Sequence, residues 1–147
     1  MSTTTGTTGG ADRQRITASG AKVAPIGPDS AQTLLARLGE RGPESIELAL
    51  GAHESEDTLI GVAAFGDVGV DHASLMVAVV PERRRLGIAS ELLYALADDA
   101  AVTGLRWFQV SYPVSELAAD ALVRTCGLTT ARRVVDHTVT AVLDTTG

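Results

Sequence analysis

The segment from Val77 to Ser90 holds the residues whose types and spacing are best suited to chemistry. It reads Val-Ala-Val-Val-Pro-Glu-Arg-Arg-Arg-Leu-Gly-Ile-Ala-Ser, an apolar run, a basic loop and then a glycine before an alanine- and leucine-rich run. The first N–H groups of a helix have no partner within the helix, and the helix dipole adds partial positive charge there. A helix that starts at Gly87 therefore predicts a site for a phosphate or pyrophosphate group.

The side chains of this segment favour the same chemistry. Gly87 would let a ligand approach the main chain closely, Ala89 keeps a neighbouring position small, and the arginines 83–85 add attraction and hydrogen-bond donors. An arginine run alone is more often a solvated loop, and it gains meaning from its place between a strand and a helix. The sequence contains neither Gly-Lys-Ser/Thr nor Gly-x-Gly-x-x-Gly, which argues against a nucleotide P-loop and a dinucleotide site.

The elements on either side of the basic loop have clear patterns. Residues 73–80 are apolar except for Ser74, which predicts a central strand buried on both faces. Apolar residues recur every fourth position from Gly87 to Val102, which predicts a helix with one buried stripe. The stripe consists of Ile88, Leu92, Leu96 and Ala100.

The rest of the chain alternates between strand-like and helix-like patterns. The predicted elements are a strand over Arg15–Pro28, a helix capped by Asp29 or Ser30 that runs to about Leu38, a hairpin of Ser45–His53 and Leu59–Phe65, a strand over Trp107–Tyr112, a helix from Ser115 or Glu116 to about Cys126, and a strand over Val134–Leu143. This order predicts an α/β fold, a mixed sheet with helices on its faces, in one domain over residues 13–144. Residues 1–12 are rich in Ser, Thr and Gly and predict a disordered tail, and residues 145–147 predict a short C-terminal fray.

Composition limits the classes of partner. The chain has 147 residues and a net charge of −6, so it carries no broad electrostatic footprint for nucleic acid. Its one cysteine, Cys126, excludes an internal disulfide, and its three histidines are too far apart in sequence to suggest a metal site. No apolar run reaches the ~20 residues of a membrane span, and no secretory signal is visible. We therefore expect a cytoplasmic protein without metal, nucleic-acid or membrane partners.

The run Arg84-Arg85-Leu86-Gly87-Ile88-Ala89 resembles the Gln/Arg-x-x-Gly-x-Gly/Ala signature of the GCN5-related N-acetyltransferases, the GNAT superfamily. Its setting is also similar, because a valine-rich strand and Pro-Glu precede it and Ser-Glu-Leu-Leu continues the helix. Cys126-Gly127-Leu128 looks like the step that ends the next helix in that family. The resemblance covers about Leu59–Leu128. It implies a GNAT-type mixed, mostly antiparallel central sheet with splayed central strands and helices on both faces.

The resemblance also implies acetyl-CoA as the cosubstrate. The main chain of Val77, Ala78 and Val79 would pair with the pantetheine arm like an added strand. An amine would attack the thioester where the two central strands splay apart, and a strand N–H would stabilise the oxyanion. The pyrophosphate would be held by the residues of the loop and the helix start: Arg84, Arg85, Leu86, Gly87, Ile88, Ala89 and Ser90.

The familiar catalytic side chains of the family are replaced in this sequence. Two positions that often hold a glutamate base correspond to Ser74 and Ser111, and the usual tyrosine acid corresponds to Val123. A base or acid must then come from elsewhere, and the candidates are Glu116, His72 and Tyr112. An ordered water could serve as well.

Three functions remain open on the sequence alone. The first is an N-acetyltransferase that modifies a primary amine, with a protein lysine as the first choice and a small amine or a protein N-terminus as alternatives. The second is a catalytically degenerate domain that binds CoA or acyl-CoA as a sensor or interaction module. The third is a structural module without a CoA site. Homodimers are frequent among domains of this kind, so a homodimer is a possible assembly.

Overall fold

The structure is a computed structural model that describes residues 15–16, 20–83 and 87–146. The predicted tail at residues 1–12 lies outside this range. Strands and helices alternate along the described residues. Their bounds are β1 Arg15–Ile16, β2 Lys22–Ile26, α1 Pro28–Arg37, β3 Ile46–Ser55, β4 Thr58–Gly66, β5 His72–Val79, α2 Ile88–Val102, β6 Trp107–Pro113, α3 Leu117–Thr125, β7 Thr129–Val135 and β8 Thr138–Asp144. A short 3₁₀ turn, Pro81–Arg83, follows β5.

All the strands form one sheet in the order β1-β2-β3-β4-β5-β6-β8-β7. Neighbouring strands are antiparallel except for β5 and β6, which are parallel because α2 connects them as a crossover. The predicted mixed, mostly antiparallel sheet is confirmed. The predicted hairpin of β3 and β4 is confirmed as well.

The parallel pair β5–β6 is joined along only part of its length. Three residue pairs connect the strands, from His72–Trp107 to Ser74–Gln109. Beyond them β5 stays paired with β4 as far as Val79, and β6 stays paired with β8 as far as Pro113. The two central strands therefore splay apart, as predicted. We call the paired end of β5 and β6 the closed end and the end at Val79 and Pro113 the open end.

Helices cover both faces of the sheet. A Cβ atom at Gly61 would lie 3.1 Å from Leu92 Cδ1, which puts α2 on the face of Gly61, the α2 face. Helix α3 lies on the same face, since Tyr112 of β6 points to that side and bonds to Asp120 of α3. The opposite face of β4 is buried too, and α1, which contacts β3 and β4, covers it. We call this the α1 face.

The core lies between these helices and the strands they cover. The predicted stripe of α2 is confirmed, because Ile88, Leu92, Leu96 and Ala100 are at most 2% exposed. Across the sheet the rings of Phe65 and Phe108 lie 5.5 Å apart and join β4 to β6 near the closed end. Cys126 is also buried, in keeping with a packing role.

In the N-terminal region one predicted strand and one predicted helix cap are wrong. Instead of a single strand over residues 15–28, the chain forms β1 and β2, which pair antiparallel. The cap of α1 is Gly27, and Pro28 is its first helical residue, so Asp29 lies inside the first turn. A proline suits this place because its φ is already helical and its missing N–H would have no partner.

In the C-terminal region another predicted strand is wrong. The predicted single strand over Val134–Leu143 is a hairpin of β7 and β8, which turns at Asp136 and His137 with φ values of 50° and 64°. Positive φ at both residues is typical of a type I′ hairpin loop, of which glycine or asparagine is the usual sign. The predicted fray is also wrong at its start: Thr145 is 5% exposed and donates a hydrogen bond to the Leu105 carbonyl at 2.7 Å.

Among the described residues, no helix is long and apolar enough to cross a membrane.

Candidate active site

The gap between β5 and β6 is lined by main-chain groups of alternate residues. The Val80 N–H donates to the Ile60 carbonyl at 2.9 Å, so Val80 points its main chain toward β4. Because the direction alternates along a strand, the main chains of Val77 and Val79 point into the gap, whereas Ala78 faces Val62 of β4. The predicted set Val77–Val79 thus divides into two residues that face the gap with their main chain and one that does not.

The β6 side of the gap follows the same alternation. The Trp107 N–H donates to the Asp71 carbonyl at 3.0 Å, so the odd-numbered residues of β6 turn their main chains toward β5. Gln109 and Ser111 therefore border the gap with main-chain groups. Their side chains lie on the α1 face, since Phe108 and Tyr112 alternate with them on the α2 face.

Helix α2 begins at the open end with a backbone conformation that requires glycine. Gly87 has φ 79°, in the left-handed region, and a Cβ atom there would meet no atom within 4 Å. The glycine is thus explained by its backbone angle and not by crowding. It supplies no side-chain cap, so within the described residues no capping side chain occupies the N–H groups of Ile88, Ala89 and Ser90, and a ligand could bind them.

The basic loop before α2 is tied to β3 by its first arginine. Arg83 Nε donates to Glu54 Oε2, and this hydrogen bond holds the pKa of Glu54 below its usual value and raises that of Arg83. Arg83 is therefore paired with Glu54 in this structure. The predicted ligand residues Arg84, Arg85 and Leu86 lie outside the described residues.

Tyr112, a predicted catalytic residue, belongs to a polar cluster on the α2 face at the open end. Its hydroxyl donates to Asp120 Oδ1 at 2.8 Å, and burial together with this bond raises the pKa of the phenol. Asp120 also accepts bonds from Arg124 Nε at 2.8 Å and Arg132 Nε at 3.0 Å. The bond from Arg124, followed by that from Tyr112, lowers the pKa of Asp120 to about 2. Tyr112 thus remains protonated and serves to fix β6 to α3.

The other two predicted catalytic residues lie at opposite ends of the sheet. Glu116 directly precedes α3 at the open end, where it is exposed. His72 begins β5 at the closed end, its side chain 54% exposed and its Nδ1 3.7 Å from Asp71 Oδ1. Seven residues of strand separate His72 from Val79, which amounts to roughly 23 Å. The structure does not bring His72 to the splayed part of the gap.

The sequence did not predict two contacts of the site, because it indicated neither the pairing of β8 with β6 nor the full extent of β7. Thr140 of β8 lies beside Ser111, with the hydroxyl oxygens 3.2 Å apart, and Arg132 of β7 reaches Asp120. Thr140 falls in the segment that was predicted as one strand, whereas Arg132 precedes that segment and lies in the part of β7 that was not predicted. The signal was the polar pair Asp136-His137 between two runs of alternating residues, which is a weak turn signal without glycine.

These groups suit the transfer of an acyl group from an extended thioester. A strand edge can pair with amide groups of a flexible arm, a helix N-terminus can bind its phosphates, and the gap leads from the α2 face to the α1 face. In the described part of the chain, no three His, Cys, Asp or Glu side chains are grouped to hold a metal ion.

Comparisons with known proteins agree with this geometry. The model of the acetyltransferase (GNAT) family matches residues 23–128, well over half of the chain. A proposed acyl-CoA N-acyltransferase from Klebsiella pneumoniae superposes with a TM-score of 0.72 at 18% identity, covering 86% of this chain and 98% of its own. The GNAT domain of S. lividans PAT superposes with a TM-score of 0.69 at 20% identity, and the match covers 90% of this chain and 96% of that domain. The structure of yncA, a proposed acetyltransferase from Salmonella typhimurium with its cofactor acetyl-CoA, superposes with a TM-score of 0.65 at 16% identity. The match covers 85% of this chain and 94% of yncA. A search of curated proteins gives no significant match.

Proposed function

The chain belongs to the acetyltransferase (GNAT) family, and we propose that it is an acetyl-CoA-dependent N-acetyltransferase that acts on a primary amine. One observation carries the proposal: the splayed strands β5 and β6 and the N-terminus of α2 open at the same end of the sheet. An extended arm paired with β5 would then carry its phosphates to Gly87.

The proposed cofactor-binding residues form two groups, one for the pantetheine arm and one for the pyrophosphate. Val77 faces the gap with its main chain and pairs with an amide of the pantetheine arm, and Val79 borders the arm one step further toward the open end. The N–H groups of Gly87, Ile88, Ala89 and Ser90 bind the pyrophosphate, and the proposal keeps Arg84, Arg85 and Leu86 as the rest of the phosphate loop. When bound, acetyl-CoA supplies the thioester that is to be cleaved.

The chain's contribution to the chemistry is mainly positioning and electrostatic. A main-chain N–H of β5 at the gap stabilises the oxyanion that forms on the thioester carbonyl. The departing thiolate needs little help, because thiol pKa values lie near ~8.5. Glu116, exposed at the open end, is the carboxylate we propose to accept the proton released by the amine, directly or through water.

The acceptor is a primary amine that approaches from the α1 face. A protein lysine and a protein N-terminus are the two classes to compare, and a small amine is a third.

Thermal unfolding with and without acetyl-CoA tests the cofactor site. A ligand at 100 times its dissociation constant stabilises by about 2.7 kcal/mol. For a domain of this size we expect a rise in Tm of roughly 5–10 °C. Gly87→Ala should abolish most of this rise, because a side chain at positive φ displaces the amides that bind the pyrophosphate.

Gly104→Ala is the matched control. Gly104 follows the other end of α2, also has positive φ, 90°, and likewise has no atom within 4 Å of a Cβ position. Both variants should lose about 1–2 kcal/mol of stability from the strained backbone, but only Gly87→Ala should lose the acetyl-CoA response. Equal responses in the two variants would place the ligand elsewhere.

A measurement of turnover distinguishes an acetyltransferase from a domain that only binds CoA. An enzyme releases CoA thiol at a rate that depends on added amine. A domain that binds CoA without turnover would show the Tm rise and no amine-dependent thiol release.

A further inference from the structure

The α1 face at the gap is lined by uncharged side chains. Ser74 and Met76 of β5 and Gln109 and Ser111 of β6 lie on it, as the strand alternation and the Ser74–Gln109 pair require. Ser74 and Gln109 form the last connected pair, and Met76 and Ser111 follow two residues further along. An amine that reaches the start of the gap from this face meets these four side chains, which we call the acceptor face.

Ser111 is held in place by a second hydroxyl. The Oγ atoms of Ser111 and Thr140 lie 3.2 Å apart, and these residues are directly paired between β6 and β8. A hydroxyl both donates and accepts, so Ser111 can bond to Thr140 and still accept a hydrogen bond from an amine. This makes Ser111 suited to orient an amine, whereas it cannot deprotonate an ammonium group.

The charged groups near the acceptor face do not stabilise an ammonium group either. Arg133 of β7 is paired with Thr140, so it lies two strands, roughly 10 Å, from Ser111 on the same face. Asp144 lies on this face too, but at the closed end, where Arg106 is 3.6 Å away. Glu116 precedes α3, which packs on the α2 face. Among these groups, no carboxylate lies beside Ser111 on the acceptor face to stabilise a charged ammonium group.

We propose that the acceptor is an amine of low basicity, the α-amino group of a peptide in preference to a lysine side chain, and that Ser111 positions it. This inference rests on the proposed function. An α-amino group has a pKa of about 7.7–8.0 and lysine about 10.4, so at pH 7 about 9–17% of the first and about 0.04% of the second are neutral.

The proton balance explains why the neutral fraction matters. The neutral nitrogen attacks the thioester carbonyl, the C–N bond forms, and the C–S bond breaks with the electron pair going to sulfur. One of the two amine protons leaves the nitrogen for Glu116, directly or through water, and is passed on from there to the thiolate. A lysine ammonium must first give a third proton to solvent, and the hydroxyls and amide of the acceptor face cannot take it.

Two peptides of one sequence test the inference. One has a free α-amine and an acetylated lysine, and the other has an acetylated N-terminus and a free lysine. With acetyl-CoA saturating, thiol release gives kcat/KM for each from pH 6 to pH 10. We expect the α-amine peptide to be preferred by more than about tenfold at pH 7 and its kcat/KM to level off near its own pKa.

Variants of the hydroxyl pair test the role of Ser111. Ser111→Ala should lower kcat/KM for the α-amine peptide about tenfold through the KM of the peptide, with the KM of acetyl-CoA unchanged. Thr140→Val should act in the same direction, and Thr140→Ser should restore activity. Thr138→Val is the control, because Thr138 is on the same strand and face but paired with Pro113.

Distinct outcomes overturn the inference and the proposed function. A lysine peptide that reacts as fast as the α-amine peptide at pH 7, or a kcat/KM that levels off well below the pKa of the amine, overturns the inference alone. A Ser111→Ala enzyme with an unchanged KM for the peptide overturns the role of Ser111. Thiol release with small amines but with neither peptide also overturns the inference alone, whereas the absence of thiol release with every peptide and small primary amine overturns the proposed function as well.

Discussion

At the closed end β5 and β6 hold each other, whereas at the open end each is held by a different neighbour. The closed end combines three residue pairs with the Phe65–Phe108 ring contact, and Phe108 is fully buried. At the open end Arg83 ties the loop after β5 to Glu54 of β3, and Tyr112 ties β6 to Asp120 of α3. The gap is thus bordered by two separately braced strands.

This difference separates stability from ligand binding. Apolar burial at the closed end stabilises the fold through area removed from water. The charged braces at the open end contribute less, but they set where the edges of the gap lie. Changes at the closed end should therefore lower stability most, and changes at the open end should cost less stability and act mainly on binding.

Phe108→Ala should have the largest effect of the changes that follow. Truncation of a fully buried phenylalanine costs about 3–5 kcal/mol, because it removes transfer free energy and leaves a cavity. At ~2–4 °C per kcal/mol, we expect Tm to fall by roughly 6–20 °C in thermal unfolding.

Met76→Ala is the comparison at the open end. Met76 lies two residues past the last β5–β6 pair and is half-buried, so we expect a loss near 1 kcal/mol. If the two substitutions cost the same, the closed end is not the main source of stability and the comparison fails.

The sequence was enough for the parts of the fold that local patterns encode. The stripe of α2 and the glycine before it follow from spacing and from backbone preference, and both were predicted. The hairpin of β7 and β8 was not, because Asp136 and His137 adopt positive φ without the usual glycine. The contact of Ser111 with Thr140 could not be predicted either, since it depends on the pairing of β6 with β8 and strand order is a tertiary property.

Asp120→Asn tests the hydrogen bond between Tyr112 and Asp120, because the stability that Asp120 contributes should depend on pH. The folded pKa of Asp120, about 2, lies below its ordinary value of 3.8. The stability it contributes is therefore fully present above about pH 4 and is lost as the pH falls toward 2. We expect the Tm difference between wild type and Asp120→Asn to be constant at pH 5–6 and to shrink below pH 4.

Other carboxyls with lowered pKa values, Glu54 and Asp144, are present in both proteins. Their contributions cancel in the difference, so its pH dependence reports Asp120. A difference that stays constant down to pH 2 would mean that Arg124, Arg132 and Tyr112 do not stabilise the charged carboxylate.

Substitutions of Glu54 and Arg83 should have the smallest effect and separate a brace from a ligand contact. This ion pair is partly exposed, with 45% and 37% of the side chains accessible, so neither Glu54→Gln nor Arg83→Gln should change Tm measurably. If Arg83 only braces the loop, both variants weaken acetyl-CoA binding equally, by about twofold or less. If Arg83 instead binds a phosphate, Arg83→Gln alone weakens binding, whereas Glu54→Gln frees the arginine and leaves affinity unchanged or higher. Titration of both variants with acetyl-CoA at low and high salt decides between them, since a phosphate contact loses its effect as salt rises.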